Sequence, residues 1–84
     1  MRLTHDGLLV RMNRTEAREF IDKLREQGFK YGRGSCGRGL YSPTWDRMMG
    51  EWSDDCFLVN PSLLAYADIN VDTLENEPPP RRMW

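Results

Sequence analysis

Cys36, Cys56 and His5 are the side chains in this chain best suited to covalent or metal chemistry. A structural zinc site wants four ligands at close paired spacings. Three scattered residues do not supply them, so no metal site is expected. A Cys-His nucleophile pair would need His5, near a chain terminus, to meet a thiol in fixed geometry, and none is expected. Cys56 reads as a small core residue and both cysteines as reduced thiols. Gly32-Arg33-Gly34-Ser35-Cys36-Gly37 matches G-x-G-x-x-G. The dinucleotide fingerprint also needs a helix opening at the glycines and a second strand bearing an acidic residue. Gly39 and Pro43 oppose that helix, and no Lys-Ser/Thr follows Gly37 as a P-loop requires, so no cofactor is expected. Asp46, Glu51, Asp54 and Asp55 are carboxylates without an evident cleft to raise the pKa of one of them. The chain therefore reads as non-enzymatic.

Binding chemistry has better candidates. Trp45 and Trp52 have the character of interface anchors, with Met48 and Met49 as adaptable apolar contacts. Asp46, Glu51, Asp54 and Asp55 would form an acidic rim around them, steering toward a basic surface such as a nucleic-acid-binding one. The competing reading has both indoles closing the open side of the core, with the carboxylates an ordinary solvated face. Arg33 and Arg38 flank a glycine-rich stretch and would reach a phosphate or carboxylate. From these follows an alternative, nucleic-acid binding through Arg33, Arg38 and Arg47 with Phe29 and Tyr31 as stacking groups. The charge speaks against it: residues 1–50 hold ten basic and six acidic side chains and residues 51–84 two and seven, dividing the net −1 into +4 and −5.

The elements that would position these residues follow from periodicity. Leu8, Val10 and Met12 alternate as in a strand over residues 8–12. Ala17, Phe20, Ile21 and Leu24 form one apolar stripe, which predicts an amphipathic helix from Arg14 to Gln27. Asn13 and Glu16 have capping-box spacing, and Gly28 suits the position after the helix. Phe29 to Gly32 reads as a second strand and Gly32 to Gly39 as a mobile loop or a wide turn. Residues 43–52 read either as a short helix, with Trp45, Met48, Met49 and Trp52 at helical spacing, or as a packed irregular loop. Cys56–Val59 and Leu63–Ala67 read as strands joined by an Asn60-Pro61-Ser62 turn. The expected fold is α+β, a small β-α-β-β-β domain with one helix on a three- to four-stranded sheet. The strand-helix-strand unit is expected to cross over right-handedly. The domain spans residues 1–74, and 75–84, with three consecutive prolines, form an extended, poorly ordered tail. No apolar run approaches the ~20 residues of a membrane span, and no signal peptide is recognised. The expected location is the cytoplasm.

The helix with its flanking strands also resembles a pattern in small phage and prophage proteins: a strand, a helix of the type T-x-E-E-A-x-x-F-x-x-x-L-x-x-x-G, an aromatic strand and a later Cys-aromatic strand. Glu16, Ala17, Phe20, Leu24, Gly28, Phe29, Tyr31, Cys56 and Phe57 carry the resemblance. It implies a mobile-element protein that binds and inhibits a host protein by surface occlusion, anti-CRISPR inhibitors being one such kind. The host-cell cytoplasm would then be its location.

Overall fold

The computed structural model describes residues 1–80. Six strands form one sheet: β1 Arg2–Leu3, β2 Val10–Met12, β3 Lys30–Gly34, β4 Gly37–Tyr41, β5 Met48–Ser53 and β6 Cys56–Val59. Their spatial order is β1-β2-β6-β5-β4-β3, and every adjacent pair is antiparallel. Helix α1, Arg14–Glu26, follows β2. A 3-10 helix spans Pro61–Ala67 and a second one Val71–Thr73. The fold is α+β as expected, with more strands than the three or four expected.

The helix forms where the stripe predicts it. Asn13 accepts from the Glu16 N–H at 2.8 Å, and Glu16 accepts from the Asn13 N–H at 3.0 Å, completing the capping box. The N-terminal ammonium adds a 2.7 Å bond to Glu16. Burial raises this carboxyl's pKa, but the ammonium and the Asn13 N–H outweigh it and hold the group below its ordinary value. At the other end Phe29 N–H bonds the Leu24 carbonyl and Gly28 N–H bonds that of Arg25. This is a Schellman ending, and Gly28 takes its left-handed position at φ 101°. Phe29 and Leu24, the apolar pair that accompanies such an ending, are both buried.

The four stripe residues of α1 meet Val10, Met12, Leu40, Phe57 and Val59 from the sheet and Leu63, Leu64 and Ala67 from the longer 3-10 helix. All lie in one cluster, so the two helical elements cover one face of the sheet.

Four expectations need correction. Residues 32–39 are neither a mobile loop nor a wide turn, the turn being confined to Ser35-Cys36. They form most of a hairpin in which Gly32 faces Gly39 and Gly34 faces Gly37. Two-residue spacing puts all four glycines on one face, and the Tyr41 ring lies across it. A β-carbon on Gly34 would fall inside the contact distance of that ring. The Tyr41 hydroxyl accepts from Cys36 N–H at 3.0 Å and donates to the Gly37 carbonyl at 2.6 Å, bracing the turn. Residues 43–52 are not a helix but a turn followed by β5. Strand pairing on both sides, with β4 and β6, outweighs the helical spacing of four side chains, and Gly50 weakens any helix there. Leu63–Ala67 is not a strand. Asn60 accepts from Ser62 N–H and Pro61 opens the turn, a helix start that buries both adjacent leucines. Finally, β2 starts at Val10, and Leu8 is 70% exposed because Asp6 holds its N–H in a turn.

The expected crossover also changes. β2 and β3 run in the same direction, but β6, β5 and β4 lie between them. Three successive hairpin connections carry the chain from β3 back to β2. Residues 75–77 of the C-terminal segment lie along β1: Leu3 N–H bonds the Glu75 carbonyl, Glu77 N–H bonds the Leu3 carbonyl, and Arg11 pairs with Glu77 at 2.8 Å. The part of the expected tail beyond residue 80 lies outside the described residues.

Candidate functional site

A groove of about 790 Å³ runs between α1 and the β3–β5 end of the sheet. From the helix it receives Arg14, Arg18, Asp22 and Arg25. Positions 14, 18 and 25 fall within about 40° of one another at 100° per residue, so their guanidinium groups form a row along one side of α1. Their axial spacing is about 6 and about 10 Å at 1.5 Å rise per residue. The sheet contributes Tyr31, Arg38, Trp52 and Asp54.

The two rings are fixed to each other. Trp52 Nε1–H donates to the Tyr31 hydroxyl at 2.7 Å, and the Trp52 ring packs 5.0 Å from Phe57 of the core. Tyr31 therefore keeps its own hydroxyl proton for another acceptor. Above the rings, the charge is incompletely compensated. Among the described residues Arg14 pairs with Asp55 at 3.1 Å, and Arg18, Arg25 and Arg38 have no ion-pair partner. Arg38 also stands directly opposite Arg33 in the β3–β4 ladder. Like charges at that spacing repel.

The residues expected to form an acidic, aromatic strip are divided. Trp52, Asp54 and Arg38 reach the groove. Trp45 lies by Gly32 with its ring 5.3 Å from Tyr41, 41% exposed, its backbone held at φ 65°. Asp46 is engaged inside its own turn by Ser42, and bonds from Ser42 and Thr44 hold its pKa below the ordinary carboxylate value. Met48, Met49 and Glu51 border a separate depression of about 170 Å³ with Leu9 and Leu58. Asp55 is held by Arg14. Of the nucleic-acid candidates, Arg38 and Tyr31 enter the groove, Phe29 is buried in the core, and Arg33 lies on exposed β3. Sequence reasoning left out Arg14, Arg18 and Arg25. Their spacing along α1 was the available signal, hidden by the acidic residues between them.

The G-x-G-x-x-G stretch is strand, turn and strand, with Gly32, Gly34 and Gly37 engaged in the β3–β4 ladder and the Cys36 N–H on the Tyr41 hydroxyl. Cys36 and Cys56 are free thiols, exposed at the β3–β4 turn and half-buried on β6 respectively. Among the described residues no three His, Cys, Asp or Glu side chains gather as a metal site would require. No helix there is long and apolar enough to cross a membrane. Compared with protein-family models, curated proteins and solved structures, the chain matches none.

Proposed function

We propose that this protein is a non-enzymatic binding module that takes single-stranded nucleic acid along the groove between α1 and β3–β5. One observation carries the reading: Arg18, Arg25 and Arg38, without ion-pair partners among the described residues, surround a hydrogen-bonded Trp52–Tyr31 pair. A row of guanidinium groups can follow a phosphate backbone while aromatic rings stack on bases, each stacked base contributing about 1–3 kcal/mol. The net charge of −1 does not oppose this, because four groove arginines, Arg14, Arg18, Arg25 and Arg38, exceed the three carboxylates there, Asp22, Asp54 and the Asp55 held by Arg14. A protein partner recognised by an acidic Trp/Met strip has less behind it, because that strip is divided between separate surfaces.

The test is fluorescence anisotropy of a labelled oligothymidylate across a salt series. Three to four neutralised phosphates give a slope of log K against log salt of about −2 to −3. Arg18→Ala with Arg38→Ala is expected to flatten the slope and weaken binding by at least about tenfold. Absence of binding at low salt would overturn the reading. Equal binding of the double variant would remove the groove from it.

A further inference from the structure

We infer that the protein self-associates through the open edge of β3, two copies joining antiparallel about Gly32 into one continuous sheet. The backbone pattern is the first ground. Gly34 and Gly37 flank the two-residue turn Ser35-Cys36. The pair flanking such a turn is hydrogen-bonded, and bonding alternates along the ladder. Gly34, Gly32 and Lys30 thus direct their N–H and C=O groups to β4. Tyr31 and Arg33 direct theirs to the open side. A twofold axis through Gly32 sets Tyr31 opposite Arg33 of the second copy, and each such pair exchanges both bonds.

Side chains agree with this register. Lys30 and Arg33 are exposed edge cations, which ordinarily guard a strand against pairing. In the twofold register neither meets a like charge directly across. Lys30 faces Gly34 of the second copy, and Arg33 faces the Tyr31 ring, a contact suited to cation–π attraction. A trough of about 630 Å³ runs along the same edge, walled by Asp22, Arg25 and Glu26 of α1 on one side and Trp45 on the other. Arg33 of the incoming strand would lie toward this wall, where Asp22 and Glu26 outnumber Arg25, drawn off the Arg38 that opposes it within its own hairpin. The other end of the sheet offers no such edge, since residues 75–77 cover β1.

The test is the mass in solution by light scattering over a concentration series, without nucleic acid. A rise from monomer to twice the monomer mass is expected. Arg33→Glu leaves the β3–β4 bonds intact and removes the repulsion with Arg38, so it folds, yet it sets like charges against Asp22 and Glu26. It is expected to weaken self-association by at least about tenfold. Adding Asp22→Lys and Glu26→Lys is expected to restore it. Arg33→Pro, which deletes an outward N–H, is expected to give a monomer. A wild-type monomer at every concentration would overturn the inference, as would a dimer that Arg33→Glu leaves unchanged.

Discussion

At one end of the sheet β1 is covered by residues 75–77, bonded through Leu3 and anchored by Arg11 and Glu77. At the other end β3 carries exposed Lys30 and Arg33 on an edge that, among the described residues, has no partner strand, beside the arginine groove. Both ends belong to one antiparallel ladder, but only the first is closed by the chain itself. A sheet edge is a template for pairing unless it is covered. The contrast teaches that the acidic C-terminal segment serves one edge as cover, while the basic half of the chain leaves its own edge and groove available.

The comparison breaks first at Tyr41. This fully buried ring covers Gly34 on the glycine face of the β3–β4 hairpin, beside Trp45 over Gly32 and Met48 at Gly39. Tyr41→Ala is expected to cost about 3–5 kcal/mol by denaturant unfolding and to abolish oligonucleotide binding with it. Tyr41→Phe keeps the ring and loses the two turn bonds, so its cost is expected to be far smaller. A small loss in Tyr41→Ala would mean that the open end folds without its aromatic floor.

The next effect sharpens how the closed half is held. Glu16 has a folded pKa below its unfolded value of about 4.5, so its stabilisation is present above that value and lost as pH falls through the folded pKa. Glu16→Gln is expected to cost on the order of 1 kcal/mol at neutral pH. The gap from wild type should narrow as acid protonates the wild-type group. A gap independent of pH would remove the charge from the cap.

The smallest effect lies at the covered edge. Glu77→Gln weakens a partly exposed ion pair and is expected to cost less than about 1 kcal/mol. Its clearer signature is hydrogen exchange. Leu3 N–H should exchange faster in the variant, while the Tyr31 and Arg33 amides of dilute wild type already exchange fast. Equal protection at both edges would dissolve the contrast.

What the residues disclosed and what they hid follow the same division. Helix α1 was legible to its caps, because Asn13, Glu16, Gly28 and the apolar stripe all act within a few residues of one another. β6 was legible because Phe57 and Val59 alternate with Cys56 and Leu58. The β3–β4 hairpin was not, since glycine is ordinarily a loop signal and it takes the side chains of Tyr41, Trp45 and Met48 to turn the glycines into a packed face. β5 was hidden because Trp45, Met48, Met49 and Trp52 also fit a helix, and the register irregularity beside Leu40 and Tyr41 disrupts its alternation. The groove was half legible. Trp52, Arg38 and Tyr31 could be singled out one by one, but their meeting with Arg18 and Arg25 depends on α1 packing across the sheet.

The bridge between Leu3 and Asn76 also bears on the order of folding. β3 to β6 are joined by neighbouring turns, whereas β1 gains its cover from a segment more than seventy residues away. Closing so long a loop costs entropy that only an established sheet can offset. The open edge is therefore expected to exist before the covered one, and any encounter between two copies has its opening while the chain is still completing itself.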